Sequence, residues 1–87
     1  MEAQHINKEV NVTAWYFRRK QERFTSYPKR IEYEQREYTF AEGLRLLIQK
    51  GKQVVQLFDM TDGSSNFRLR FDNEQRTWTL VSITNAT

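Results

Sequence analysis

Apolar and polar residues alternate with a period of two over much of this chain, which is the spacing of half-buried β-strands. Glu9 to Phe17 (EVNVTAWYF) places Val10, Val12, Ala14 and Tyr16 on one face and Asn11, Thr13, Trp15 and Phe17 on the other. Its second half is apolar on both faces, so this strand is either covered twice or carries a bulge that turns Trp15 or Tyr16 inward. Ile31/Tyr33 and Tyr38/Phe40 flank the polar Glu34, Gln35 and Arg36 and predict a hairpin or one long bent strand. Three later runs, Val54 to Met60, Phe67 to Phe71 and Thr77 to Ile83, are separated by the turn-rich stretches 61–65 and 72–76. They predict a three-stranded meander. In its middle strand Phe67, Leu69 and Phe71 point inward and Arg68 and Arg70 outward.

One segment breaks the period. Phe40, Leu44, Leu47 and Ile48 fall at i, i+4, i+7 and i+8, the stripe of an amphipathic helix. Thr39 and Glu42 fit a capping box ahead of it, and Gly51 suits the left-handed residue that ends many helices. The expected fold is therefore α+β: a mainly antiparallel sheet of five or six strands packed against one helix over about residues 40–50, ending in the meander. Residues 1–8 are expected to be a flexible tail and residues 9–84 a single domain.

Length and composition narrow the class. At 87 residues there is room for one modest core. Two Trp, four Tyr and six Phe supply large apolar areas, so that core is expected to be aromatic. The absence of cysteine excludes a disulfide framework, a thiol nucleophile and a thiolate metal site. No apolar run approaches the ~20 residues a membrane helix needs, and the first residues lack the features of a secretory signal. No membrane partner and a cytoplasmic location are the corresponding expectations.

Charge is what points to a partner. The chain is only +3 overall, yet the stretch 17–30 (FRRKQERFTSYPKR) holds six of its fourteen basic side chains against the single carboxylate of Glu22. Arg18, Arg19, Lys20, Arg23, Lys29 and Arg30 are candidate contacts for phosphates, with Phe24 and Tyr27 as stacking surfaces. Arg68 and Arg70 extend this basic surface if the sheet brings them alongside. A solvated loop whose arginine stems cover aromatic surface accounts for the same residues. Of the remaining rings, Tyr27 or Trp15 is expected to be exposed enough for recognition, and the others to be packed.

Catalysis has little support. The only histidine, His5, lies near the start of the chain, and no glycine-rich phosphate loop or nucleophile elbow is present. Asp59, Asp62, Gly63 and Asn66 superficially resemble a calcium loop but lack its spacing and terminal Glu, and an Asp-Gly turn explains them. No catalytic residue, metal or cofactor is expected. The chain reads as a small non-catalytic binding domain that contacts a polyanion, nucleic acid or an acidic protein, through its basic aromatic segment. The alternative is a protein-interaction module, or a homo-oligomer formed through a sheet edge, with no nucleic-acid role.

Overall fold

The computed structural model describes residues 4–20 and 23–85, with the side chains of Lys20 and Arg23 outside the described part. Seven strands follow one another: β1 (Gln4–Lys20), β2 (Arg23–Tyr33), β3 (Arg36–Thr39), β4 (Glu42–Lys50), β5 (Gln53–Thr61), β6 (Ser65–Asp72) and β7 (Thr77–Asn85). They form one antiparallel sheet in the order β3-β2-β1-β7-β6-β5-β4. β1 begins at Gln4, ahead of the strand start expected at Glu9, with Gln4 opposite Ile83 and His5 opposite Ser82.

The helix expected over residues 40–50 is absent; that segment is β4, so the fold is all-β and the meander runs through four strands, β4 to β7. Two tertiary bonds decide the outcome. In a capping box Thr39 and Glu42 would satisfy the local amides, but here the Phe40 N–H donates to Lys29 O and the Ala41 N–H to Thr61 O, both at 2.8 Å. From Glu42 on, β4 runs in register with β5 to Lys50 opposite Gln53. Gly51 does take a left-handed conformation, at φ 60°, but as the first central residue of the two-residue turn to β5, the position a type II′ hairpin gives to glycine. Gly43 fixes the face of β4. A Cβ there would collide with Met60 Sδ and lie 2.8 Å from the Asp59 carbonyl oxygen, so the inner face of β4 passes Met60 only because this residue has no side chain.

The same two bonds show how the sheet closes. Phe40 bonds to β2 and Ala41 to β5, strands far apart in the sheet order, so the two margins meet at this crossing. A flat sheet is one strand thick, whereas the smallest extent of this molecule is 25 Å; the sheet curls around its own apolar face. Val10, Ile31, Phe40, Phe58, Met60, Phe67, Leu69 and Leu80 are buried there. Rings dominate the packing. Phe67 contacts Phe40 and Tyr38 at centroid distances of 5.1 and 5.2 Å, and Trp78 bridges Phe58 and Phe71 at 5.2 and 4.9 Å, separations at which aromatic pairs attract beyond simple burial.

The β2–β3 hairpin turns through Glu34 and Gln35, at φ 52° and 63°, between Tyr33 and Arg36. Two positive φ values define the type I′ turn that matches strand twist, yet neither residue is the Asn or Gly that adopts it without strain. Gln35→Gly is therefore expected to raise stability by about 1 kcal/mol. An unchanged or lower denaturation midpoint would contradict this turn geometry.

Candidate nucleic-acid interface

β1 and β2 extend beyond the rest of the sheet as a two-stranded ribbon that pairs down to Lys20 opposite Arg23. Its base is bent. Register shifts between Val12 and Ala14, and between Ala14 and Trp15, leave Thr13 on β1 and Lys29 on β2 as extra residues. Bulges of this kind bend a strand and re-aim its side chains, and Pro28, which has no N–H to offer a ladder, sits buried beside them. Of the two residues considered for an inward turn, Tyr16 is the half-buried one, while Trp15 remains 50% exposed.

Pairing beyond the bulges sorts the ribbon into two faces. Trp15, Phe17 and Arg19 lie opposite Pro28, Ser26 and Phe24, and Tyr16 and Arg18 lie opposite Tyr27 and Thr25. The second face packs against the domain. Tyr16 and Tyr27 stack at 5.3 Å and Tyr27 meets Phe58 edge-on at 5.7 Å, so Tyr27 is a packing residue rather than a free stacking platform. Arg18 lies 5.6 Å from the Tyr27 centroid and donates from Nη1 to the Gly43 carbonyl at 3.3 Å. The Tyr16 hydroxyl is buried with no hydrogen-bond partner among the described residues, and burial pushes its pKa up while Arg18 pulls it down.

The first face is closed at its base, where Pro28 is buried and Trp15 and Ser26 border a cleft with Phe58, Phe71 and Trp78, and open towards the end of the ribbon. Phe17 is 69% exposed and Phe24 70%, and the Arg19 guanidinium lies 5.7 Å from the Phe24 centroid. Phe17 and Phe24 belong to adjacent pairs on this face, so they are diagonal neighbours, with Trp15 one step further along. Phe17 was not among the candidate contacts read from the sequence. The signal was available in its alternation with Trp15 and Arg19, but it rested on knowing that the ribbon leaves the core.

Other candidates are held elsewhere. Lys29 Nζ donates to the Phe40 carbonyl at 2.8 Å and lies over the Tyr16 ring at 5.7 Å, which secures the β3–β4 crossing. Arg30 Nε reaches Thr13 Oγ1 at 3.2 Å and Glu37 Oε2 at 3.5 Å. Arg68 forms a two-pronged pair with Asp59, at 2.7 and 2.9 Å, and this partner raises its pKa further. Arg70 is exposed on the same side of β6 as Arg68. The side chains of Lys20 and Arg23 lie outside the described residues.

Arg18 and Arg68 do meet one feature in common. An open groove of about 820 Å³ crosses the outer side of the sheet, floored by Leu44, Asp59, Arg68, Ser82 and His5 in cross-strand register, with Arg18 and Glu42 at its margin. Asp59 and Glu42 offset the two arginines, so the groove is not a cationic channel. In the turn after β5, Asp62 Oδ1 accepts the Ser64 and Ser65 N–H groups at 2.8 Å each, and Gly63 has φ 97°. That is an Asx-type turn. Among the described residues no cluster of three or more His, Asp or Glu could hold a metal, and no helix is long and apolar enough to cross a membrane.

The fold is a curled all-β domain whose β1–β2 ribbon packs one face on the domain and leaves Phe17, Arg19 and Phe24 exposed on the other. No protein-family model matches the sequence, and no curated protein or solved structure matches it.

Proposed function

We propose that this protein is a non-catalytic binding domain for single-stranded nucleic acid, contacted by the open face of the β1–β2 ribbon. One observation carries the reading: Trp15, Phe17 and Phe24 stand exposed on the same ribbon face as Arg19. Leaving two phenylalanines about 70% exposed is unfavourable for a free domain, and bases offer them a sequence-tolerant partner because every base has a π-face. Phosphates are attracted by the excess of basic residues over 17–30. Arg68, Arg30 and Lys29 stay with their intramolecular partners in this reading, so the contact surface is narrower than the full set of basic residues.

A single strand suits this surface better than a duplex, whose bases are already stacked. The test is anisotropy of a labelled oligothymidine in about 50 mM and about 200 mM salt. Binding at the lower salt, weakened roughly tenfold or more at the higher, is expected for a few phosphate contacts. No binding at the lower salt, or affinity indifferent to salt, contradicts the proposal.

A further inference from the structure

The sheet has two margins, and they are treated differently. β3 is four residues long and presents the exposed Arg36, Glu37 and Thr39, a short charged edge of the kind that resists further pairing. β4 is nine residues long and leaves Leu44, Leu46, Leu47 and Ile48 exposed by 67, 45, 57 and 39%. A long apolar edge strand is a template for another strand.

We infer that the β4 edge pairs with the β4 edge of a second copy of this chain, antiparallel about a two-fold axis at Leu46. Strand β4 itself selects this occupant and this register. Gly43 lies on the inner face against Met60, so Leu44, Leu46 and Ile48 share the outer face with Glu42 and Lys50. A two-fold axis perpendicular to the sheet keeps outer faces together, which restricts pairing to residues of like parity. Centred on Leu46, the pairing sets Glu42 against Lys50 of the other copy, twice, with Leu44 against Ile48 and Leu46 against itself. Centred on Arg45, it sets two like charges directly opposite each other, which is unfavourable. Centred on Leu47, it places Leu44 against a lysine and leaves Glu42 beyond the strand end. Only the first register joins opposite charges at both ends of an apolar middle.

The two-residue turn makes Lys50 and Gln53 a hydrogen-bonded pair, so Leu44, Leu46 and Ile48 bond β5 while Arg45 and Leu47 turn their N–H and C=O groups to the free edge. Arg18 already donates to the Gly43 carbonyl, so the ladder between copies is made by Arg45 and Leu47 and the Glu42–Lys50 contacts by side chains. The ribbon face proposed for nucleic acid is not used, and the two readings stand or fall separately.

Sedimentation velocity or light scattering of the full chain, from about 1 μM to about 500 μM, reads the association directly. The mass is expected to rise from one chain to two and no further. Leu46→Lys, at an exposed position where the fold should be unaffected by circular dichroism, is expected to hold the protein monomeric. Glu42→Lys alone should weaken the dimer at least tenfold, and Glu42→Lys with Lys50→Glu should restore it, a rescue that general stickiness cannot produce. A wild-type monomer at every concentration overturns the inference and leaves β4 to a different partner. A dimer indifferent to Leu46→Lys, or without charge-swap rescue, overturns it as well.

Discussion

Replacing Phe67 by Ala is expected to lower stability by about 3–5 kcal/mol, the usual cost of removing a buried ring and leaving a cavity. Phe67 is 1% exposed and contacts both Tyr38 and Phe40, the two rings beside the crossing where the margins of the sheet meet. Collapse of the cavity would have to move β3, β4 or the Phe40 amide bond to β2, so little relief is available. Small domains are stable by only about 5–15 kcal/mol, and at 87 residues this one belongs near the lower end, so the variant should be close to unfolding at ambient temperature. Denaturant titration gives the comparison. Phe17→Ala, on the open ribbon face, should stay within about 0.5 kcal/mol of wild type. Similar losses for Phe67→Ala and Phe17→Ala would mean that the ring cluster around Phe67 is not what holds the curled sheet.

The second large effect concerns binding. Truncating Phe17 or Phe24 to Ala is expected to weaken oligothymidine binding by about 1–3 kcal/mol each, between roughly 5-fold and 150-fold. The salt dependence should not change, because no phosphate contact is lost. Arg19→Ala should do the opposite, reducing the slope of affinity against salt by about 0.7 for one phosphate contact on a single strand. The contrast separates stacking from charge. If all three variants weaken binding equally and leave the slope alone, the ribbon face acts through its fold and not through contact.

Much of the strand pattern was legible because alternation reports directly which side of a strand meets the core; Leu69 buried between the exposed Arg68 and Arg70 is an example. β4 was not. Leu44, Leu47 and Ile48 continue a helical stripe from Phe40, while Leu44, Leu46 and Ile48 form a strand alternation, and a short apolar run cannot separate the two. Three local clues favoured the strand: Gly43, which weakens a helix early in its course; the Gly51-Lys52 pair, which suits a hairpin turn; and Gln53 to Thr61, an apolar run that matches β4 in length. The deciding contacts, from Ala41 to Thr61 and from Phe40 to Lys29, join residues distant in sequence and leave no local trace.

The candidate site divides in the same way. That the stretch 17–30 is basic and aromatic is a property of composition, readable at once. Which members are available depends on partners that folding brings in: Phe40 for Lys29, Glu37 and Thr13 for Arg30, Asp59 for Arg68, and Phe58 for Tyr27. The bulges at Thr13 and Lys29 offset each other, so Val12 opposite Ile31 and Tyr16 opposite Tyr27 share one register and the alternation read from the sequence runs on through the ribbon. Tyr16 thus keeps the inward face of Val10 and Val12 and is half-buried, while Trp15 and Phe17 stay exposed on the other.

Backbone amide NMR shifts, followed during titration with a short oligothymidine, locate the contact surface residue by residue. The perturbed amides are expected to cluster at Trp15, Phe17, Arg19, Phe24 and Ser26, with β5 and β6 unmoved. Perturbations centred on Arg68 and Arg70, or spread evenly over the sheet, would contradict binding by the ribbon face.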